Sequence, residues 1–517
     1  RGPKGQAFRL QPTSARFYFA NFDSRILGAS MNDGAIKPEW RYSDLREWIG
    51  EAEKLGELKN VLGASWQEEI GLAADVVVPA DDGPAVLFDE VPGCAKGLRL
   101  LVNVFAGKRR NMTLGFPDHL SKQELSSAYF EHYQKKQQHI APRIVEDGPV
   151  FENIIQGDDI DVTQFPAPIW HVYDGGRYIG TGGFSVTMDP DERWVNVGCY
   201  RAMIHDRKTV GLLIVPGKHG YMHREKYFSR GDRMPIALVI GADPMFFFMA
   251  GTEHPYGICE FDIVGGMRGR PVDLVRGKIT GLPFPAAAEI VLEGFISADH
   301  RMQEGPFGEW TGYYAGGASP QPVLDIHAIY HRNDPIILGV PPLGGGSDEM
   351  ARYRAVIRSA MLKQELAAAG VPDVTQVWCH EVGASRMLHG IAIKQRYPGH
   401  AKQVGVLAAS CGSTVYGCKF VIVVDDDVDV SNFEQLMWAM VTRCDPATSM
   451  DILRRMRTSP ADPRLTPEQR KMRDLTNSRA VIDATRPYEW MDKFPRVNTP
   501  SPELAQKARD KFGYLLR

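Results

Sequence analysis

Apolar residues recur with helical spacing near the start of the chain. From residue 42 they return every three or four positions, which predicts a helix that Ser43 caps and Gly56 ends. Ser121 and Glu124 have capping-box spacing and predict a second helix. Two runs between these helices are typical of β-strands: AVLFDEV and LRLLVNVF. Together the elements predict a mixed α/β domain over residues 40–150.

The pattern changes between residues 151 and 335. Short β-rich runs are separated by Gly and Pro at turn positions, and long helical periodicity is nearly absent. This region therefore favours antiparallel strands that close toward a split β-barrel. The runs are FSVTM, TVGLLIV, IALVIG, DIVGGM, AEIVLEGFI and VLDIHAIYH.

Alternating strands and helices return over residues 336–490. A long helix is predicted from Asp348 to Ala369, and Ser431 with Glu434 forms a capping-box pattern ahead of FEQLMWAMVTR. The predicted strands are VTQVWC, HGIAI and KFVIVV. This order indicates an α/β domain with a largely parallel sheet.

A last helix is predicted from Pro502 to Leu516, within residues 491–517. One face of it carries apolar residues, which favours docking on its own or a neighbouring subunit. These residues are Leu504, Ala508, Phe512 and Leu515. The predicted fold class is thus multidomain α/β, or α+β, with N-terminal, central and C-terminal domains and a terminal helix.

Length and composition exclude some classes of protein. At 517 residues the chain is too long for one hydrophobic core. The net charge of -3 gives no sign of binding to nucleic acid or to a membrane surface, and no apolar run is long enough to span a bilayer. Seven scattered cysteines without CxxC spacing predict reduced thiols in a cytoplasm.

Residues 1–30 precede Met31 and lack the apolar centre of a secretory signal. We expect them to be a leader added for expression and to take no part in the fold. The alternative is a basic targeting extension, because Arg and Ser without early acidic residues resemble a transit peptide.

The stretch QEGPFGEWTGYY holds two carboxylates, Glu304 and Glu309, on a turn rich in Gly and Pro. If a cation lies between them, their proton affinities separate, and one acid can donate a proton while the other stays ionised. The alternative is that both are solvated turn residues.

Two further segments offer polar side chains that suit a metal site. Asn196 and Arg201 lie five positions apart on an apparent strand, so they face opposite sides unless Gly198 marks a bulge. An amide, an imidazole and a carboxylate from Asn196, His219 and Glu260 form an oxygen and nitrogen set suited to Mn²⁺. A lone histidine is otherwise a packing or surface residue.

Six motifs, in order, resemble the UbiD family of decarboxylases, which includes the 3-polyprenyl-4-hydroxybenzoate and ferulate decarboxylases. The resemblance extends from about residue 42 to residue 490. The motifs are DGGRYIGTGG, NVGCYRAM, EIVLEG, EGPFGEWTGYY, KQRYPGHAKQ and VIVVDDDVDV.

The resemblance implies prenylated FMN as cofactor, held with Mn²⁺ and K⁺, in a central split-barrel domain beside a C-terminal oligomerisation domain. The implied metal ligands are Asn196, His219 and Glu260. The implied catalytic network is Glu304, Arg201 and Glu309. The implied cofactor contacts are Asn196, Val197, Gly198, Cys199, Tyr200, Arg201, Lys218, His219 and Lys394, the last as a neutraliser of phosphate charge.

Three residues are expected to line the substrate pocket: Val215, Lys218 and Trp310. Trp310 replaces a smaller residue of the ferulate relatives, and it can stack on an aromatic acid or shorten the pocket. Lys218 replaces a glutamine and can reach a second anionic group on the substrate. Alternatively, Lys218 faces solvent or pairs with the flavin phosphate.

The implied activity is reversible, non-oxidative decarboxylation of an aromatic, heteroaromatic or α,β-unsaturated acid. A flavin prenyltransferase is the implied supplier of the cofactor, and a homodimer or homohexamer is the implied assembly. One alternative is a flavin or nicotinamide oxidoreductase, against which the absence of GxGxxG counts. The other is a non-catalytic flavin-binding assembly protein, against which the intact Glu-Arg-Glu set counts.

Two other features carry weaker signals. Asp425, Asp426, Asp427 and Asp429 follow a predicted buried strand, where turn-forming and hydrogen-bonding aspartates are more common than metal ligands. The stretch LGGGSDEM lacks the lysine of a Walker motif, so we interpret it as a hinge or substrate loop.

Overall fold

Four separate β-sheets, flanked by helices, make up the fold in the computed structural model, which describes residues 36–346, 348–498 and 500–516. The predicted leader lies outside the described residues. The helices are α1 Leu45–Lys54, α2 Glu69–Val77, α3 Gly107–Thr113, α4 Lys122–Tyr129, α5 His219–Phe228, α6 Pro244–Ala250, α7 Glu260–Arg268, α8 Glu349–Ala368, α9 His400–Ala408, α10 Phe433–Arg443, α11 Pro467–Met472 and α12 Pro502–Phe512.

The strands follow the same chain order. They are β1 Leu58–Leu62, β2 Ala85–Asp89, β3 Arg99–Val102, β4 Arg143–Ile144, β5 Asn153–Gln156, β6 Phe184–Met188, β7 Val195–Gly198, β8 Ala202–Ile204, β9 Thr209–Leu212, β10 Met234–Ile240, β11 Asp273–Arg276, β12 Pro283–Pro285, β13 Ile290–Glu304, β14 Ser319–His331, β15 Ile336–Gly339, β16 Val374–Cys379, β17 Leu388–Ile393, β18 Phe420–Asp425, β19 Met450–Arg457 and β20 Thr476–Ala484. The mixed α/β class is confirmed.

The N-terminal sheet has the order β1-β2-β3-β15, so its last strand comes from far along the chain. The described residues from Lys37 onward form one compact unit, and the proposed domain boundaries stay a prediction. The Ser121 and Glu124 capping box is confirmed. The predicted cap of α1 is wrong, because the Asp44 carboxylate accepts from the Glu47 N–H while Ser43 donates to the Glu47 side chain.

The central sheet is entirely antiparallel, with the order β7-β6-β10-β13-β14-β9-β8 and β5 paired to β14. It is an open sheet, so the expectation of a closing barrel is wrong in that respect. Its two edge strands, β7 and β8, are consecutive in the chain. Only Cys199–Tyr200–Arg201 link them, so these three residues join opposite edges of one sheet. A small third sheet has the order β12-β11-β4.

Three helices in the central region, α5, α6 and α7, were not predicted. Helix α7 contains the DIVGGM run that was interpreted as a strand. The backbone at Gln138 approaches α7 so closely that no side chain fits at Gly266, where a Cβ would lie 1.8 Å from the Gln138 carbonyl oxygen. Glycine therefore serves helix packing here, a role that the β-like pattern conceals.

The C-terminal sheet has the order β16-β17-β18-β20-β19. Only its three central strands are parallel, and both edge strands are antiparallel, so it is more mixed than predicted. Helix α10 is capped by Asn432 rather than Ser431, whose hydroxyl donates to Asp429 instead. Arg443 donates to both Asp425 and Asp427, which confirms the structural interpretation for these two aspartates.

Helix α12 ends at Phe512 and leaves two of its apolar side chains largely exposed, Leu504 at 59% and Phe512 at 48%. The predicted contribution of Leu515 lies outside the side chains that the structure describes. Over the described part of the chain, every helix is too short or too polar to cross a bilayer.

Candidate active site

Glu304 is the last residue of β13 and Glu309 lies on the loop that follows. Glu304 pairs with Ser319, the first residue of β14, so residues 305–318 form a hairpin loop, called here the 305–318 loop. One acid is thus fixed by the sheet ladder, and the other belongs to the loop. This explains how two acids five positions apart can occupy one site.

Arg201 supplies the cation that the sequence argument requires. It follows the break after β7 and precedes β8, so it does not share a strand with Asn196 as predicted. Its Nε donates to Glu304 Oε1 at 2.8 Å and its Nη2 to Glu304 Oε2 at 2.9 Å. Its Nη1 donates to Glu309 Oε1 at 3.2 Å. We call Arg201, Glu304 and Glu309 the Arg201 clamp.

Buried aromatic groups surround the clamp. Tyr178 donates its hydroxyl to Glu304 Oε1 at 3.0 Å and stacks on Phe307 with ring centroids 3.9 Å apart. The guanidinium carbon of Arg201 lies 5.4 Å from the centre of the Phe307 ring. Because Glu304 is only 1% exposed, this shell strengthens the charge-assisted hydrogen bonds of the clamp.

The two acids of the clamp differ in access to solvent. Glu309 keeps 21% of its side-chain surface exposed, and burial raises its pKa, although Arg201 opposes this and Glu304 adds to it. Burial lowers the pKa of Arg201, but its hydrogen bonds to Glu304 outweigh that effect and the pKa is raised. The arrangement keeps Arg201 charged and favours the protonated form of Glu309.

The position of Glu309 is set by its own turn. Its N–H donates to the Tyr313 carbonyl at 2.9 Å, and its carbonyl accepts from Gly312 at 2.8 Å. A Cβ on Gly316 would lie 3.3 Å from Glu309 Oε1, so glycine leaves room for the carboxylate.

Two of the predicted metal ligands come together through the backbone. Asn196 lies on β7 and is 3% exposed, and Glu260 begins α7 and is 4% exposed. The Glu260 carboxylate accepts from the N–H of Val197 at 2.8 Å, the residue next to Asn196. Burial raises the pKa of Glu260 to about 8, and no basic side chain pairs with it among the described residues.

His219, the third predicted ligand, begins α5. Its ring lies 5.0 Å from Trp194 and 5.9 Å from Tyr256, measured between centroids, and burial followed by Lys218 lowers its pKa. The next residue, Gly220, donates its N–H to the Tyr200 hydroxyl at 3.1 Å. The described residues contain no group of three or more His, Cys, Asp or Glu side chains placed to share an ion, and the predicted set has only two such residues.

An amide, a neutral imidazole and a buried carboxylate without a basic partner among the described residues are donor types that suit a divalent cation such as Mn²⁺. The donor types of Asn196, His219 and Glu260 therefore fit this chemistry, and their role as metal ligands stays a prediction.

The remaining predicted cofactor contacts lie on the linker between β7 and β8 and just before α5. Cys199 donates its thiol to the Phe247 carbonyl at 3.7 Å, and burial raises its pKa to about 12, so it is a neutral thiol. A Cβ on Gly198 would lie 2.5 Å from the Tyr200 hydroxyl. Val215 is half-buried, and its carbonyl accepts from the N–H of Lys218.

The predicted roles of Lys394 in phosphate binding and of Trp310 in the substrate pocket stay predictions. Lys394 follows β17, is exposed, and donates its backbone N–H to Asp373. Within the described residues, no hydrogen bond or ion pair links it to the clamp or to the predicted metal ligands. Trp310 packs against Gly417, where a Cβ would lie 3.3 Å from the indole, and 6.5 Å from Tyr416 between ring centroids.

Sequence reasoning missed a group of arginines near Lys218. Glu253 accepts hydrogen bonds from Arg358, from Arg386 at 2.7 Å and from Lys218 at 3.4 Å, and Arg354 donates to the nearby Gly251 carbonyl. We call Lys218, Glu253, Arg354, Arg358 and Arg386 the cationic cluster. Arg354 and Arg358 lie four positions apart on α8, and buried residues occupy most sides of this helix. Arginines at helical spacing on a largely buried helix were the signal from which the cluster could have been predicted.

Comparison with known proteins then decides the family. Residues 143–344 match the 3-octaprenyl-4-hydroxybenzoate carboxy-lyase Rift-related domain, UbiD, and residues 353–484 match the C-terminal domain of that carboxy-lyase. The chain belongs to the UbiD family. A pyrrole-2-carboxylic acid decarboxylase of Pseudomonas aeruginosa is 33% identical over 79% of this chain and 84% of its own. The chain is therefore a UbiD-type carboxy-lyase.

Solved UbiD-class structures agree with the whole fold. The enzyme HmfF from Pelotomaculum thermopropionicum, in complex with FMN, is 29% identical, with a TM-score of 0.79 over 90% of this chain and 99% of its own. An evolved dimeric form of HmfF in complex with prFMN is 28% identical, with a TM-score of 0.75 over 89% of this chain and 98% of its own.

Proposed function

We propose that this UbiD-family enzyme removes the carboxyl group of an aromatic, heteroaromatic or α,β-unsaturated acid without net oxidation, with prenylated FMN as cofactor. The observation that carries the proposal is the Arg201 clamp, a guanidinium held by two acids that differ in burial. The flavin complexes of HmfF and the decarboxylase relative support it.

The cofactor, when bound, supplies the electron sink that decarboxylation needs and that no side chain provides. Asn196, His219 and Glu260 would hold a Mn²⁺ ion, which would supply positive charge at the cofactor site. The buried carboxylate of Glu260, which has no basic partner among the described residues, fits that role. K⁺ stays an expectation from the family.

Arg201 would orient the departing carboxylate. A guanidinium has five N–H donors, and three of them are used within the clamp. Two donors are left for the carboxylate of the substrate, while Glu304 and Tyr178 hold the guanidinium plane. The acid is thus bound by a charge-assisted pair in a fixed orientation.

Glu309 would deliver the proton that replaces carbon dioxide on the substrate carbon. Its raised pKa favours the protonated form, and its partial exposure allows a new proton to arrive from solvent. Glu304 is tied to Arg201 and Tyr178, so it serves to position the clamp. Because every step is reversible, the same groups can perform carboxylation.

The test is to produce the protein together with a flavin prenyltransferase, the proposed supplier of the cofactor, and to screen carboxylic acids in heavy water. Decarboxylation predicts deuterium at the carbon that loses the carboxyl group, even where equilibrium opposes net release. Turnover that requires an external electron acceptor would instead establish the oxidoreductase alternative. Gel filtration of the same sample checks the proposed homodimer or homohexamer.

A further inference from the structure

The cationic cluster carries more positive charge than the described chain balances. Lys218, Arg358 and Arg386 donate to one carboxylate, Glu253, and Arg354 donates to the Gly251 carbonyl. The four basic side chains therefore exceed the carboxylate by three positive charges, or by two when the neighbouring Asp348 is ionised. The other acid beside it is Asp348, which caps α8 near Arg354 and whose pKa burial raises to about 6. Excess charge of this size in a protected site favours binding of an anion.

The cluster has two buried arginines and a more exposed side. Arg358 and Arg386 are 6% and 4% exposed, whereas Lys218 and Glu253 keep 43% and 42% of their side-chain surface accessible. The buried Nε and Nη1 of Arg386 have no hydrogen-bond acceptor among the described residues. Burial, followed by the charge of Arg358, lowers the pKa of Arg386 to about 10. An anion bound at the exposed side of the cluster would relieve this repulsion.

The cationic cluster adjoins the proposed cofactor site. Lys218 immediately precedes His219 in the chain. The charges of Arg354, Lys218 and Glu260 all act on the pKa of the Cys199 thiol. The cluster therefore meets the linker between β7 and β8 and a predicted metal ligand. Lys394, the residue expected to neutralise the phosphate, has no hydrogen bond or ion pair with either among the residues that the structure describes.

Arg386 also contacts the catalytic side of the molecule. Its guanidinium carbon lies 5.4 Å from the ring centre of Trp310 and 5.3 Å from that of Tyr416. Trp310 follows Glu309 directly on the 305–318 loop. Movement of the Arg386 guanidinium toward an anion would therefore change the packing of Trp310, which is adjacent to the proposed proton donor Glu309.

We propose that the cationic cluster binds a phosphate monoester dianion, which is the flavin phosphate if the proposed function holds, and that Arg386 couples its presence to the 305–318 loop through Trp310. The guanidinium groups that donate to the Glu253 carboxylate would then also donate to the phosphate. Arg386 acts on Glu309 as a positioning residue.

Binding of FMN and of riboflavin to the purified full-length protein, without bound flavin, tests the site. The two ligands share the ring system and differ by the phosphate monoester. Arg386→Met should weaken FMN binding by about 10-fold to 100-fold, the worth of a charge-assisted hydrogen bond, and leave riboflavin binding within about 3-fold. Lys402→Met, an exposed charge on α9, is the matched control and should leave both affinities unchanged.

Lys394→Met decides between the structural proposal and the sequence-based one. We expect it to leave the preference for FMN over riboflavin intact. If Lys394→Met removes this preference and Arg386→Met does not, the cluster is not the phosphate site. If Arg386→Met spares FMN and weakens only an aromatic dicarboxylate, the cluster recognises substrate instead, which also overturns the proposal.

Inorganic phosphate tests the coupling to Trp310, because it does not absorb near tryptophan emission. Phosphate should compete with FMN and change the emission of the parent protein, and this change should vanish in Trp310→Phe and in Arg386→Met. The same change in all three proteins would refute the coupling. Since these measurements report binding alone, absence of decarboxylation would leave them valid, and their failure would leave the decarboxylase proposal standing.

Discussion

The Arg201 clamp and the cationic cluster contain similar groups with opposite charge balance. The clamp holds one guanidinium between two carboxylates, whereas the cluster gathers four basic side chains around Glu253. In the clamp, Glu304 and Tyr178 already fix Arg201 before any ligand arrives. In the cluster, buried N–H groups of Arg386 find no acceptor within the described part of the chain. The hydrogen bonds of the proposed catalytic group are thus largely made within the chain, whereas the proposed anion site keeps donors available for a ligand.

Removal of the clamp's cation should have the largest effect. In Arg201→Met the buried carboxylate of Glu304 loses its partner, which costs about 3 to 5 kcal/mol of unfolding free energy, and decarboxylation should be lost. Chemical denaturation measures the first effect. Arg207→Met, which breaks an exposed pair with Asp161, is the control and should change stability by less than about 1 kcal/mol. Equal stability of the two variants would contradict the account of the clamp.

Loss of the proton donor should spare the fold. Glu309→Gln should lower turnover by about 10²-fold to 10⁴-fold, the usual contribution of a general acid, with unchanged flavin binding. Steady-state rates with the cofactor loaded measure this, beside Glu434→Gln on the exposed face of α10. Normal turnover of Glu309→Gln would assign the proton to another group.

The pH dependence of turnover should sharpen the distinction between the two acids. Burial raises the pKa of Glu309 above the ordinary value of 4.5, and only its protonated form can donate. Turnover should therefore fall about tenfold per pH unit once the pH exceeds that raised pKa. This decrease in turnover at high pH should disappear in Glu309→Gln. A rate that rises with pH across this range would mean that Glu309 acts first as a base.

Removal of the Tyr178 hydroxyl should give the smallest change. Tyr178→Phe leaves Glu304 Oε1 without one donor, which should cost about 1.5 to 3 kcal/mol of stability. Thermal unfolding measures the loss, and Tyr313→Phe, an exposed residue of the 305–318 loop, is the control. An unchanged melting temperature for Tyr178→Phe would show that Arg201 alone satisfies the carboxylate.

Local patterns predicted most strands and the longer helices, because each is set by neighbouring residues. The Ser43 and Ser431 caps failed by one position, since Asp44 and Asn432 compete for the same orphan N–H groups. The clamp could be predicted only through the resemblance to the UbiD family, because the residues themselves gave two acids and no identified cation. The cationic cluster could not, because Lys218, Arg358 and Arg386 come from distant segments and each alone resembles an ordinary surface charge.

The short link between β7 and β8 limits how this enzyme can be altered. Three residues connect opposite edges of one sheet and end at Arg201, so an insertion there would separate the guanidinium from its carboxylate partners. The 305–318 hairpin, in contrast, can exchange residues at its tip while β13 and β14 stay in register. Attempts to broaden the range of acids accepted should diversify the hairpin tip and leave the link untouched.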